Sequence, residues 1–411
     1  MRIRTVAPLL AALLLVASCA GSGQANVKIG QERALTVSDV TASAMVDAST
    51  DFGLDLLNHL CSAQPNTNQL ISPSSIVTAL GMAYTGARGE TAAQMARVLH
   101  LPPAGDPLTA AVAVWRTSLG PLLEGDKAPL AVADIVWTQD GLPLEQTYLD
   151  AMRTGYGAGV HVVDFRSDPN GSRKAINSEV ERQTRGHIKD LFPRGSIDSS
   201  TRLALTDAVY LKARWDGSLT AYKSHMAFTA KGAEAVNVPG VTITLGGYAN
   251  SGGWQAVELP YEGERLAAVA ILPPQSTSPC ALDASRLQSL IDGMTQTPGV
   301  ADLPVLDLSS SYDLADVLSR MGMSDAFGAA DFTGITTAEP LQISSVQHKG
   351  TLRLDENGTE AAAATGVGMR TSGIAGGAVH VTFDRPYLLL VHDRVSGTPF
   401  FLASIANPSA R

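Results

Sequence analysis

Apolar residues recur at helical spacing in the first half of this chain and in unbroken or alternating short runs in the second. Thr50 to Leu60 reads as an amphipathic helix. Ser72-Pro73-Ser74-Ser75-Ile76 begins another, with Ser72 as N-cap and Pro73 in the first turn, and it runs through Leu80 and Met82 to a stop at Gly86. A helix starts at Glu90-Thr91-Ala92-Ala93-Gln94-Met95 and ends before Pro102-Pro103. Glu145 to Arg153 and Ala175 to Thr184 also have helical spacing. Strands are predicted at Leu130 to Trp137, Leu203 to Leu211, and Leu266 to Leu272, the last stopped by Pro273-Pro274. Tyr387 to His392 and Phe400 to Ile405 flank a turn at Ser396-Gly397-Thr398 and read as a hairpin. Helices gathered early and strands gathered late predict an α+β fold with large antiparallel or mixed sheets.

No Pro/Gly/Ser linker and no internal repeat interrupts the chain from residue 44 to 411, so it reads as one domain. With 411 residues, 45% hydrophobic and 17% charged, it has the composition of a globular protein with a large core. Thirty basic against 39 acidic residues give a net charge of -9, which argues against a general nucleic-acid binder.

Residues 1–18 stand apart. Arg2 and Arg4 precede an apolar run from Val6 to Val16, too short for a mature spanning helix, which ends in Val16-Ala17-Ser18-Cys19. A small-residue site directly before a cysteine is similar to the bacterial lipobox. The expectation is export, with a lipid on Cys19 as membrane anchor and a flexible tether over residues 19–43 that begins Gly21-Ser22-Gly23-Gln24. The alternative is an ordinary secretory leader that releases the protein to the extracellular space. Cys61 and Cys280 remain. The compartment permits a disulfide between them, but two isolated cysteines do not establish one, and free or buried thiols stay open. No CxxC pair or close His/Cys cluster points to a metal, and no cofactor is implied. The motifs Asn170-Gly171-Ser172 and Asn357-Gly358-Thr359 are glycosylation sequons that mean little in a bacterial protein.

Several segments in order carry a resemblance. They are Ile71-Ser72-Pro73-Ser74-Ser75-Ile76, Gly86-Ala87-Arg88-Gly89-Glu90-Thr91, and Ile176-Asn177 with Thr184 to Leu191. Then come Asp207-Ala208-Val209-Tyr210-Leu211-Lys212 with Trp215, Leu259-Pro260-Tyr261, and Ile271-Leu272-Pro273. The C-terminal part adds Gln347-His348-Lys349-Gly350, Asp355-Glu356-Asn357-Gly358-Thr359-Glu360-Ala361-Ala362-Ala363-Ala364-Thr365 and Phe383-Asp384-Arg385-Pro386. Together they resemble the serpin family over residues 45 to 408. The resemblance implies the serpin fold: helices mainly in the N-terminal part, packed on three β-sheets, with an exposed C-terminal reactive loop.

It also implies a function without catalysis. A serine or cysteine protease attacks the loop, an acyl-enzyme forms, and the severed loop enters the main sheet as an extra strand before deacylation. The hinge of that movement is Glu356, Gly358, Thr359, Glu360, Ala361, Ala362, Ala363, Ala364 and Thr365. Taken as a strand, Thr359, Ala361, Ala363 and Thr365 share one face, which is small and uncharged and can be buried. Family spacing places the reactive bond at Ser372–Gly373, which suits an elastase-like or subtilisin-like protease. Arg370–Thr371 is the alternative and suits a trypsin-like one, with Met369 a third option. From Thr359 to Ser372 is 14 residues, about 46 Å of strand at ~3.3 Å per residue. Ser72, Ser75 and His348 are expected in a hydrogen-bonded network under the sheet that opens. Asp207 stands where the family usually has Asn, and a carboxylate only accepts unless protonated. Trp215 is expected to plug the top of the sheet. The target protease is the expected partner of a monomer.

Two other readings compete. A non-inhibitory serpin acting as a binding or chaperone-like protein generally carries bulky or charged hinge residues, and the buried face here has none; Gly366 and Gly368 weaken the strand slightly. A hydrolase lacks support, because G-x-S-x-G, a convincing S-x-x-K and H-E-x-x-H are missing.

Overall fold

Leu203–Leu211 is buried at all 9 positions, as its unbroken apolar run requires. It lies within a 7-stranded sheet covered on both faces. The computed structural model describes residues 26–35, 42–125, 128–359 and 378–409. The strand order is Asn26–Lys28, Val160–Val163, Ile135–Gln139, Leu203–Leu211, Ser345–Leu354 and Leu306–Asp313, with Leu130–Val132 also paired to Leu203–Leu211. Ser345–Leu354 runs parallel to Leu203–Leu211 and sets His348 opposite Asp207. This pair is called the seam below.

Behind the seam lies the helix Pro73–Thr85. It carries no charged residue and is buried everywhere except Thr78. Pro73 opens it and Ser72 is extended, as expected. The Ser72 hydroxyl, however, makes no cap bond. On the other face of the sheet lies Pro169–Gln183, whose Ile176 and Val180 pack against Trp137, Phe165 and Tyr210. Ser43–Ala63 covers and extends the predicted first helix. Gly89–Leu99 matches the helix expected before Pro102-Pro103. The helix Asp106–Leu123 was not anticipated, and it carries Pro121 inside.

The single strand expected over Leu130 to Trp137 is two, Leu130–Val132 and Ile135–Gln139, broken at Ala133 and Asp134. The break turns the Asp134 carboxyl toward Ser75 on the buried helix.

A 6-stranded sheet holds Trp254–Pro260, Leu266–Leu272 and the predicted C-terminal hairpin, Tyr387–Asp393 with Pro399–Ile405. A 4-stranded sheet contains Ala221–Phe228, Val236–Thr244, Gly299–Pro304 and Val379–Thr382. Ala221–Phe228 escaped sequence reading because only Met226 and Phe228 in it are buried, too few to set a period. The architecture is α+β, with helices concentrated before residue 184 and strands after residue 202.

Two further expectations meet the structure. Cys61 and Cys280 are disulfide-bonded, with Cα atoms 6.5 Å apart, joining the first helix to a turn 219 residues later. Within the expected tether, Asn26–Lys28 is not free chain. It pairs antiparallel with Val160–Val163 at the sheet edge, so the fold begins before residue 44.

Candidate functional site

Beyond the upper end of the seam the chain reverses. Ser345–Leu354 leads into a tight turn in which Asp355 bridges Gly358, and Gly358–Thr359 then pairs antiparallel with Ala213–Arg214, the continuation of the other seam strand. Gly358 has φ +134°, and a Cβ there would overlap the Ala213 carbonyl oxygen, so only glycine fits this reversal. The residue expected as a pivot is therefore part of a packed turn.

Trp215 closes the site from above. Its ring stacks on Tyr261 with centroids 4.7 Å apart, and its indole N–H donates to the Asp355 carbonyl at 2.9 Å. The Tyr261 hydroxyl lies 2.7 Å from Thr359 Oγ1, and Thr359 is buried. Burial pushes the Tyr261 phenol up in pKa, so it stays protonated and can donate. Glu356 sits on the wetter side, 3.3 Å from Lys223 Nζ. Lys223 is mostly exposed, so this pair contributes little.

Lower in the seam the contacts are polar. Ser75 Oγ lies 2.6 Å from Asp207 Oδ1 and in short contact with Asp134 Oδ1. A hydroxyl has one hydrogen, so it can donate to only one carboxylate. The second contact needs a proton on a carboxyl group. Burial, and then the neighbouring Asp207 carboxylate, push the Asp134 carboxyl well above the ordinary carboxylate range, against the opposing pull of Ser75. Both favour the proton on Asp134. A protonated Asp134 donates to Ser75, which leaves the Ser75 hydroxyl free to donate to Asp207, a carboxylate that only accepts.

His348 completes the group. Its Nε2 accepts the Ser72 backbone N–H at 3.3 Å, which assigns the ring proton to Nδ1; Nδ1 lies 3.2 Å from Asp207 Oδ2 but out of line for a hydrogen bond. Tyr312 stacks parallel on the other side, centroids 6.1 Å apart. Ser72 is wholly buried, but its contribution is backbone; its hydroxyl finds no protein partner. A cavity of about 180 Å³ lies beneath, lined by Ser75, Asp134, Trp115, Tyr156 and Val209 among others. Parting the two seam strands separates Asp207 from His348, because each belongs to a different strand.

Beyond Thr359 the chain returns as Val379–Thr382, parallel to Gly299–Pro304, and Phe383 N donates to the Asp302 carbonyl at 2.9 Å. The proposed loop thus connects the top of the large sheet to the edge of the 4-stranded one. A family model described as Serpin (serine protease inhibitor) matches residues 47–408.

The chain belongs to the serpin family.

An uncharacterised serpin-like protein of Thermococcus kodakarensis is 36% identical over 383 residues, which is 89% of this chain and 86% of that one. The leukocyte elastase inhibitor of Bos taurus is 31% identical, covering 88% of this chain and 98% of its own length. The thermophilic serpin tengpin, in its native state, superposes with a TM-score of 0.80 at 25% identity, over 93% of this chain and 100% of that one. Ovalbumin shares the fold at a TM-score of 0.75. Serpins generally act by binding target proteases rather than by catalysing a reaction.

Of the expected site residues, the structure brings Ser75, Asp207 and His348 together in the seam, with Ser72 joining through its backbone. Trp215, Glu356, Gly358 and Thr359 meet at its upper end. Glu360, Ala361, Ala362, Ala363, Ala364 and Thr365, the reactive-bond candidates Ser372–Gly373 and Arg370–Thr371, and Cys19 lie outside the described residues. Sequence reading missed Asp134, Tyr261 and Tyr312 as members of the site. Asp134 had a signal: it is the one charge in an otherwise apolar run from Leu130 to Trp137. Tyr261 was visible only as part of Leu259-Pro260-Tyr261. Among the described residues, no group of His, Cys, Asp or Glu is arranged to hold a metal ion.

Proposed function

We propose that this serpin is an irreversible suicide-substrate inhibitor of serine or cysteine endopeptidases. The observation that carries this reading is the state of the hinge. Gly358–Thr359 has already reversed direction and pairs antiparallel with the extension of one seam strand, while the two seam strands below are still joined. Thr359 is the first residue of the small, uncharged face, and it is already buried. Each further residue pair that enters extends the same ladder, with Ala361, Ala363 and Thr365 following Thr359 inward. An inserted strand gains hydrogen bonds on both sides once the seam parts, which drives the trap from a kinetically protected native state.

The reactive bond in this reading is Ser372–Gly373, with Arg370–Thr371 as the alternative. Two curated relatives are named leukocyte elastase inhibitor, which favours the small residue and an elastase-like or subtilisin-like target over a trypsin-like one. The protein is exported and carries a lipid on Cys19. The Cys61–Cys280 bond supports export, since such bonds persist in oxidising compartments.

The test is direct. The chain is incubated separately with trypsin, elastase and subtilisin, and the products are run on denaturing gels. A stable band at the summed mass supports covalent trapping, and the mass of the released C-terminal peptide distinguishes Ser372 from Arg370. Clean cleavage with no such band across a broad protease panel rejects the proposal and leaves a binding or chaperone-like serpin.

A further inference from the structure

The strand register fixes which end of the molecule the N-terminal chain comes from. Asn26 pairs with Val162, Val162 with Thr138, and Thr138 with Leu203, so these four residues lie in one row across the large sheet. Leu203 is the first residue of its strand, so the row marks the lower end. Thr359 pairs with Ala213, ten residues further along the same chain, roughly 33 Å away at ~3.3 Å per residue. The hinge and the N-terminal entry therefore stand at opposite ends of the sheet.

The entering segment is seated, and its fit is close. Lys28 Nζ donates to the Leu142 carbonyl at 2.8 Å, Gln31 N to Asp150 Oδ1 at 2.7 Å, and Arg33 N to Thr154 Oγ1 at 3.0 Å. Gly30 lies so close to Leu149 that a Cβ would overlap that residue's backbone. From Cys19 to Asn26 is seven residues, a reach of at most about 25 Å.

We propose that the segment Asn26–Arg33 is an orienting strap: on a membrane it holds the lower end of the large sheet toward the bilayer and turns the reactive loop away from it. The partner surface is lipid. The inference rests on the reading of Cys19 as the anchored residue. A loop so presented meets soluble proteases on the outward side. Insertion antiparallel to Leu203–Leu211 then carries the protease toward the lower end, where the membrane lies. A protease domain of ordinary size is roughly 40 Å across, wider than the reach of the tether. Trapping on a membrane thus requires the domain to tilt or the strap to let go.

The test uses the full chain, coupled to phosphatidylcholine vesicles that contain a maleimide-headed lipid. Cys19 is the coupling site, because Cys61 and Cys280 are bonded to each other. A fluorophore is placed through an azide-bearing residue at Ser199, just before the lower end, or at Ser218, just past the upper end; both are exposed. Energy transfer to an acceptor in the lipid headgroups is then measured. The expected result is severalfold greater transfer from position 199 than from 218, with the difference collapsing in Gly30→Phe and in Val27→Pro, which expel the strap. Equal transfer from both positions, greater transfer from 218, or a difference that survives both variants would overturn the proposal. Neither readout depends on natural lipidation or on inhibition. Those readings fail separately, in the mass of the N-terminal peptide from membranes and in the protease gels.

Discussion

Above the seam the contacts are rings and backbone; within it they are two carboxyl groups, a hydroxyl and an imidazole. The upper group, Trp215, Tyr261, Gly358 and Thr359, is neutral and works by shape. It commits the chain to a direction, because the turn at Asp355–Gly358 already points the hinge down the sheet. The lower group, Ser75, Asp134, Asp207 and His348, works by polar contacts between buried groups. It bridges the buried helix and the two seam strands. Steric closure of this kind is indifferent to pH, whereas a network holding a buried acid raised in pKa is not. The same sheet therefore has one group held by packing and one held by polar contacts.

The comparison breaks most severely at Trp215. Trp215→Ala removes the stacked lid and the bond to Asp355, and is expected to cost about 3–5 kcal/mol of native stability. Denaturant unfolding measures this, and a loss below ~1 kcal/mol would mean that the ring is no lid. Next is Thr359→Arg. The guanidinium would be buried against Tyr261, and an uncompensated buried charge costs several kcal/mol. About 3 kcal/mol in the insertion barrier slows insertion roughly 100-fold. On the proposed function the variant becomes a substrate, read as the ratio of cleaved serpin to trapped complex. An unchanged ratio would show that Thr359 does not enter the sheet.

Ser75→Ala tests the lower group. It takes the bridging hydroxyl from two carboxyl groups and should destabilise by about 1–3 kcal/mol. A thermal melt at fixed pH reads it, and a neutral result would argue that the acids satisfy each other. The smallest and most discriminating effect is the pH slope. The Asp134 carboxyl is raised in the folded protein, so its contribution to stability is complete below the ordinary carboxylate value and is lost as pH rises through the raised one. Stability of the closed sheet should therefore fall with rising pH above the usual carboxylate range, by at most about 1.4 kcal/mol per pH unit for one proton. Asp134→Asn should flatten this part of the curve while the upper group's response to pH stays flat in both proteins. A slope that persists in the variant would place the titrating group elsewhere.

The legibility of these regions in the sequence differed for a physical reason. The expectation of a hinge rests on a local requirement, small residues at alternate positions after a glycine, and the structure describes only its start, Gly358–Thr359. The elements around it were readable where burial is nearly complete, as in Leu203–Leu211 and Pro73–Thr85. They were not readable where the surface is shared with solvent, as in Ala221–Phe228, or where a helix carries an internal proline, as in Asp106–Leu123. Asp134 was hidden because its meaning depends on another acid, Asp207, and a hydroxyl, Ser75, from remote parts of the chain. Only pairing distant strands sets Asp207 beside His348, 141 positions later.

The α+β class, the family and the identity of most groups in the seam were legible in the sequence, because each of these is written in residue types at fixed spacing; of the expected hinge face, the structure describes Thr359 alone. Packing alone shows that Cys61 bonds Cys280, that Asn26–Lys28 is a strand of the large sheet, that Tyr261 receives Thr359, and that Ser75 bridges Asp134 and Asp207. Each of those facts depends on which groups meet across 59 or more residues of chain. Proximity of that kind is fixed by how the core packs, and not by any neighbouring residue in the sequence.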